Sequence, residues 1–147
     1  MRQESAFNPK ARSHADAFGL MQLIPEMAKR AARYANIRFK RHRELYDPET
    51  NIMLGSAFLK NLLGKNNNNF LVTVASYNAS EKAIKNWVRT RYTGDPLEFI
   101  EDIPYSETQG YIKLVLRNLV FYQRLNSDGK AIYFPEWCLQ SLQDFKS

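Results

Sequence analysis

The 147 residues and the 44% apolar content predict one globular domain that is long enough to bury a sizeable core. The single Cys138 excludes an internal disulfide framework, and no apolar run approaches the roughly 18 residues that span a bilayer. The net charge of +6 favours a polyanionic partner. However, the basic residues between 29 and 43 carry no nucleic-acid motif, and a solvated surface explains them at least as well.

The two histidines, His14 and His42, have no metal-ligand spacing with each other or with acids. We therefore expect neither a metal nor a cofactor. Residues 1–8 show no signal-peptide pattern. The chain is thus either cytosolic or a segment of a longer protein, and we favour the segment.

The first half of the chain alternates helix signals with loops. Residues 1–7 are predicted to form the last turns of a helix, which the following Asn-Pro pair ends. A proline at position 25 opens a second helix. Asp-Pro-Glu at 47–49 supplies a cap, a proline and an acid for the first turn of a third helix, which Gly64 closes.

The second half begins with four asparagines, 66–69, which predict a polar loop. Residues 70–77 are apolar, and their periodicity cannot separate a helix from a strand, because the Val-Thr-Val run suits a strand. Ser80 can cap a helix that runs to about residue 92, and Asp-Pro at 95–96 starts a short one.

The longest predicted helix runs from Ser106 to about Leu125, and Ser106 and Gln109 fit a capping box at its start. We expect residues 126–147 to pack on the body as a tail. The aromatic residues of this tail are Tyr133, Phe134 and Trp137.

No repeat and no linker interrupts this succession of elements. The sequence therefore predicts a single, mainly α domain over residues 1–147, with little or no β-sheet.

Five short blocks follow one another along the chain, and the ordered set is far more specific than any single block. They are RQESAFNP, GLMQLIP, DPETNIMLGSAFL, ASYNAS and FIEDIPYSETQGYI. From about Arg2 to Tyr122 the chain resembles the soluble lytic transglycosylases, which are lysozyme-like bacterial enzymes that cleave peptidoglycan. The resemblance implies a goose-lysozyme-type fold in which residues 70–77 are helical.

The resemblance also implies a glycan-binding site. Glu4 matches the catalytic acid of the family, at a helix end that faces the cleft. Gln22 matches a cleft position, and it is hard to explain as a core residue, because burying an unpaired amide costs about 1–3 kcal/mol. The remaining matched positions, which ordinary loop, core or helix-start roles would also explain, are Ser13, Tyr77, Asn78, Glu107 and Tyr111.

The chemistry that the resemblance implies needs one carboxyl group. Glu4 would protonate the oxygen that leaves N-acetylmuramic acid, and then accept the proton of that sugar's C6 hydroxyl as a 1,6-anhydro ring closes. The next acids, Asp16 and Glu26, match no cleft position. One group with two roles requires a pKa near the working pH. Apolar neighbours are expected to raise it, namely Ala6, Phe7, Leu20 and Met21.

The chain departs from the family pattern at four places. Ser80 stands where glycine is usual, Gln109 where arginine is common, and Ile24 where methionine is frequent. Only three residues precede Glu4, although the helix that carries this acid normally has two or more turns before it. These departures bear on whether the chain is active, and they bear less on its resemblance to the family.

Other functions remain open at this point. A lysozyme-type hydrolase would form reducing ends, and a truncated domain would bind peptidoglycan with little or no cleavage. A nucleic-acid-binding domain rests on charge alone. The resemblance implies peptidoglycan glycan strands as the partner, no nucleic acid, a monomer, and a location in the periplasm or cell envelope.

Overall fold

The computed structural model describes residues 1–128, 130 and 133–146. It contains two compact units, an N-terminal unit of Met1–Gly64 and a C-terminal unit of Lys65–Ser147. Both are built from helices, and the described residues contain no strand beyond isolated bridges. The mainly α fold is therefore confirmed. A single domain over residues 1–147 stays a prediction.

The N-terminal unit contains three α-helices and a 3-10 turn. These are α1 (Arg2–Ser5), α2 (Pro25–Ala35), the 3-10 turn (His42–Tyr46) and α3 (Pro48–Lys65), whose last residue lies in the C-terminal unit. Between α1 and α2 the chain folds back on itself, so that Phe18 forms isolated antiparallel bridges with Arg12 and Leu23. The predicted proline starts of α2 and α3 are confirmed, and α3 continues one residue past Gly64.

The interior of the N-terminal unit combines small side chains of α2 with leucines of the loop and of α3. The alanines of α2 permit a close approach of neighbouring segments, while leucines fill the remaining space. Its fully buried apolar residues are Leu23, Ala28, Ala31, Leu45 and Leu54.

The C-terminal unit contains α4 (Phe70–Asn78), α5 (Glu81–Arg91), α6 (Pro96–Glu101) and α7 (Ser106–Leu125), followed by short 3-10 turns. The helix α4 is hydrophobic nearly all round and packs against α5 and α7. An apolar run that periodicity alone could not assign is therefore a central, buried helix. The prediction from the family resemblance is confirmed for this segment.

Capping residues explain why the helices of the C-terminal unit begin where they do. Asn69 accepts a hydrogen bond from the Val72 N–H at 3.0 Å, and Ser80 accepts one from the Ala83 N–H at 3.1 Å. The predicted Ser80 cap is thus confirmed. The four-asparagine run is not simply a solvated loop, because Asn66 and Asn69 are buried.

The capping box predicted at the start of α7 is wrong. Ser106 is already helical, and Tyr105 precedes the helix without a side-chain cap. The Gln109 amide instead donates to the Glu101 carbonyl at 2.6 Å, at the end of α6. An unpaired carbonyl at that helix end is satisfied in this way.

The segment after α7 contributes to the interior of the C-terminal unit. Cys138 and Leu142 are fully buried in its apolar cluster, in or beside the 3-10 turns Glu136–Leu139 and Gln143–Phe145. The aromatic residues of the tail are largely exposed, Tyr133 by 85% and Trp137 by 51%.

Part of the predicted tail over residues 126–147 lies outside the described residues, namely Gly129, Ala131, Ile132 and Ser147. No helix in the described part of the chain is both long enough and apolar enough to cross a membrane.

Candidate functional site

Glu4 lies in the last turn of α1 and is half-buried. The helix ends one residue later, at Ser5, because Ala6 and Phe7 adopt left-handed backbone conformations with φ of 49° and 64°. Non-glycine residues rarely adopt this region, and each such conformation costs on the order of 1–3 kcal/mol. A left-handed residue is a common end for a helix, and here it terminates the helix that carries the carboxyl group.

Ala6 and Phe7 do not provide the apolar cover expected of them. Both are exposed, Phe7 by 51%. Leu20 is buried and Met21 is half-buried, so of the four residues expected to cover Glu4 only these two are shielded from solvent.

A side-chain hydrogen bond joins α1 to that loop. The Ser5 hydroxyl donates to the Leu20 carbonyl at 2.9 Å. Ser5 directly follows Glu4, and Leu20 lies two residues before Gln22. None of the residues 2–5 is buried. This bond therefore connects the Glu4 helix to the segment that carries the second predicted site residue.

The loop around Leu20 is held by a buried asparagine of α3. The Asn51 amide donates to the carbonyls of Phe18 and Leu45 at 2.9 and 2.8 Å, and its oxygen accepts from the Met21 N–H at 2.8 Å. Asn51 is fully buried, and these bonds satisfy both donors and the acceptor of its side chain.

Gly19 permits this close packing. Its φ is +72°, and a Cβ atom there would lie 2.1 Å from the Leu45 carbonyl oxygen and 2.4 Å from the Asn51 amide nitrogen. Both the conformation and the space therefore require glycine.

Gln22 is half-buried and has a left-handed φ of 48°. Its amide nitrogen donates to the carbonyls of Gly19 and Ala11 at 3.0 and 3.3 Å. The amide is therefore not unpaired, because its nitrogen holds the loop together, and a role of Gln22 in glycan binding stays a prediction. Its position next to the anchored Leu20 keeps it a candidate.

Ser13 also has a structural role. Its hydroxyl accepts a hydrogen bond from the Ala17 N–H at 3.1 Å, and its N–H donates to the Ala17 carbonyl at 3.0 Å. These bonds close a short turn in the same loop. Ser13 and Gln22 therefore belong to one connected segment with the anchored Leu20. Their role in glycan binding stays a prediction.

Asp16 and Glu26, the next two acids after Glu4 in the sequence, form exposed ion pairs. Asp16 pairs with Arg12, and the side-chain hydrogen bond to Asp16 raises the Arg12 pKa. Glu26 pairs with Arg30 along α2. Both carboxylates are therefore engaged by arginine side chains.

Two predicted residues end α4 in the C-terminal unit. Tyr77 and Asn78 form the last turn of this helix and are half-buried, whereas the six residues before them are buried. The side chains at the end of α4 are thus more accessible than those of its centre, as a binding role would require.

The other two predicted residues lie at the start of α7. Glu107 is exposed in the first helical turn, and Tyr111, one turn later, is half-buried against the apolar cluster of the unit. Because α4 and α7 pack together, both pairs belong to one packed group of helices.

The four predicted residues of this unit therefore have defined positions within it.

Among the described residues, no three His, Cys, Asp or Glu side chains lie close enough together to hold a metal ion.

Sequence reasoning missed Ser5 and Asn51, although both lie in the blocks that carried the resemblance. An Asn at 51, on a helix otherwise lined with apolar residues, was the available signal, since a buried amide must find partners. Its partners lie 6 to 33 residues away, so the sequence alone could not identify them.

Comparison with known proteins adds a family to this geometry. Residues 1–100 match the family model described as a transglycosylase SLT domain. A putative soluble lytic murein transglycosylase of Haemophilus influenzae is 40% identical over 138 residues, which cover 92% of this chain and 23% of that relative. The soluble lytic murein transglycosylase of Escherichia coli is 37% identical over 139 residues, covering 92% of this chain and 22% of the relative.

Solved structures agree with these relatives. An inactive glutamate-to-glutamine mutant of the lytic transglycosylase Slt from Pseudomonas aeruginosa superposes with a TM-score of 0.81 at 35% identity. The match covers 88% of this chain and 21% of that protein. This chain thus spans less than a quarter of the length of each of these three proteins.

Proposed function

This chain belongs to the transglycosylase SLT domain family, and we propose that it cleaves the β-1,4 bond between N-acetylmuramic acid and N-acetylglucosamine in peptidoglycan. In this proposal the reaction leaves 1,6-anhydro-N-acetylmuramic acid ends, with Glu4 acting as acid and then as base. The observation that carries it is the family match over residues 1–100, which contains a half-buried Glu4 near the end of α1.

The first step is breakage of the glycosidic bond. The protonated Glu4 carboxyl gives its proton to the bridging oxygen, which leaves with the N-acetylglucosamine residue. Positive charge then develops at the anomeric carbon of N-acetylmuramic acid, as in other glycoside cleavages. With Asp16 and Glu26 engaged in exposed ion pairs, the substrate's own 2-acetamido oxygen would stabilise this centre.

The second step closes the ring. The Glu4 carboxylate accepts the proton of the C6 hydroxyl, and the oxygen of that hydroxyl bonds to the anomeric carbon. No water is consumed, and Glu4 returns to its protonated state. A single group can serve both steps because Glu4, once it has donated its proton, is the carboxylate that accepts the proton of the second step.

The other candidate residues would bind and orient the strand. In the N-terminal unit, Ser13 and Gln22 lie in the loop that Asn51 holds. In the C-terminal unit, Tyr77 and Asn78 end α4, while Glu107 and Tyr111 lie in the first two turns of α7. Hydroxyl and amide groups of this kind suit the hydroxyls and acetamido groups of the sugars.

The partner in this proposal is therefore the glycan strand of peptidoglycan, and the place of action is the periplasm or cell envelope. We propose that the chain acts as a monomer.

The test is digestion of purified peptidoglycan, with mass spectrometry of the released fragments. We expect fragments with 1,6-anhydro ends, each one water lighter than the corresponding hydrolysis product. The variant Glu4→Gln should lose cleavage by a factor of at least about 100, because an amide cannot donate the proton.

The matched control is Glu26→Gln, which removes another acid of the same unit from an exposed ion pair. It should cleave as the wild type does. Reducing ends would instead identify a lysozyme-type hydrolase, and strand binding without any product would identify a binding domain. Normal turnover by Glu4→Gln would exclude Glu4 as the acid.

A further inference from the structure

The helix that carries Glu4 has little to hold it in place by itself. None of its residues is buried, and the next two residues have left-handed backbone conformations. The orientation of Glu4 therefore depends on contacts that join α1 to other segments.

The side chain of Ser5 makes one such contact. Its hydroxyl lies 2.9 Å from the Leu20 carbonyl oxygen and 3.4 Å from the Met1 carbonyl oxygen. A hydroxyl has one proton to donate, and the shorter distance identifies Leu20 as the main acceptor. The bond to Leu20 joins α1 to a segment 15 residues away.

The Leu20 carbonyl is a fixed acceptor. The chain is held by Asn51 one residue after Leu20 and two residues before it, because Asn51 accepts from the Met21 N–H and donates to the Phe18 carbonyl. Gly19 packs so closely on Asn51 and Leu45 that even a methyl group does not fit. A hydrogen bond to this carbonyl therefore transfers the rigidity of the loop to α1.

We propose that Ser5 is a positioning residue for the transglycosylase reaction, which acts by holding the Glu4 helix against the loop that Asn51 fixes. This inference rests on the proposed role of Glu4. Ser5 touches neither the sugar nor the reacting atoms in this proposal. It sets the direction from which the Glu4 carboxyl reaches the glycosidic oxygen, and proton transfer depends steeply on such geometry.

The variant Ser5→Ala removes the hydroxyl and keeps a good helix former. We expect kcat on soluble glycan strands to fall roughly tenfold to hundredfold, since misplacement of a catalytic group by about 1 Å has effects of this size. KM should stay within about twofold, because the residues proposed to bind the strand are unchanged.

Ser5→Thr restores the hydroxyl at the same position and should recover most of the lost kcat. Ser56→Ala, at an exposed serine of α3, is the matched control and should leave both constants unchanged. The pH profile of kcat supplies a further readout, because a displaced Glu4 carboxyl meets a different environment and the profile should shift in Ser5→Ala and return in Ser5→Thr.

Wild-type kcat in Ser5→Ala would overturn the positioning role, and so would a loss that Ser5→Thr fails to restore. The positioning role would also be overturned if the pH profile of Ser5→Ala were unchanged and its loss of kcat only matched its loss of thermal stability. Ser5 would then have a structural role alone. The proposed function fails in a different way, through an active Glu4→Gln, so the two outcomes are distinguishable.

Discussion

The two units of this protein hold their candidate site residues by different means. In the N-terminal unit, a single buried amide, Asn51, fixes a loop whose backbone is left-handed at Gly19 and Gln22. In the C-terminal unit, the candidates lie on regular helices around a continuous apolar cluster. One unit depends on a few specific polar contacts, and the other on burial spread over many side chains.

This difference has an energetic consequence. The stabilisation that comes from apolar burial is proportional to area, so the loss of one group is shared among many contacts. A buried polar group that satisfies three others is an all-or-none element, because its removal leaves each partner unpaired. We therefore expect the N-terminal unit to be sensitive at few positions and the C-terminal unit to be tolerant at comparable ones.

The largest difference is expected from replacing a buried asparagine by leucine in each unit. Asn51→Leu leaves the Met21 N–H and the carbonyls of Phe18 and Leu45 without partners, and should lower the free energy of unfolding by about 3–6 kcal/mol. Asn118 in α7 is also buried, but its amide makes no hydrogen bond within the described residues.

Asn118→Leu should therefore change the free energy of unfolding by less than about 1.5 kcal/mol, as expected for a swap of similar volume. Urea denaturation of both variants measures the difference. Equal losses would show that the two units do not differ in the way described.

Replacing one glycine by alanine in each unit should change the free energy of unfolding by a smaller amount, and in opposite directions. Gly19→Ala places a methyl group against the Leu45 carbonyl and in a left-handed conformation, and should cost about 2–5 kcal/mol. Gly110 in α7 has no atom within 4 Å of an added Cβ. Gly110→Ala should stabilise the protein by about 0.5–1 kcal/mol, because alanine loses less backbone entropy in a helix. Thermal unfolding of both variants tests the pair, and a stable Gly19→Ala would contradict the tight packing of the loop.

The smallest effect concerns the caps of α3 and α5. The Thr50 N–H donates to the Asp47 carboxylate at 2.8 Å, and this bond lowers the Asp47 pKa below its ordinary value of 3.8. A carboxyl group whose pKa is lowered by folding stabilises the protein above its unfolded pKa, and that contribution is lost as the pH falls through the folded value. The excess stability of the wild type over Asp47→Asn should therefore shrink as the pH falls from about 5 to 3.8 and below.

Ser80 caps α5 with a hydroxyl that does not titrate, so it serves as the comparison in the other unit. Ser80→Ala should cost about 1 kcal/mol at every pH in this range. Unfolding curves at several pH values separate the two behaviours, and a pH-independent Asp47→Asn would exclude the proposed contribution of the Asp47 charge.

The sequence predicted helix starts in both units better than it predicted contacts between distant residues, for a physical reason. Helix starts such as Asp95-Pro96 and Ser80-Glu81 depend on neighbours in sequence, and these were confirmed. The capping box at Ser106 failed because Gln109 found a partner in α6, which local pattern does not reveal.

The loop before α2 was the least predictable part of the chain. Its shape depends on Asn51, which bonds to residues 6, 30 and 33 positions away, and on a close approach that only glycine permits. The identity of Glu4, Gln22 and the other candidates came from ordered blocks of sequence. The contacts that hold them came only from the three-dimensional structure.

The single thiol of the chain makes the contrast between the units accessible to measurement in another way. Cys138 is fully buried in the C-terminal cluster, burial raises its pKa, and its thiol donates to the Pro135 carbonyl at 2.8 Å. A thiol reagent can react with it only when that region opens, so labelling under native conditions reports local opening of the C-terminal unit. Comparison of the labelling rate with the rate of global unfolding shows whether this unit opens alone or together with the N-terminal one.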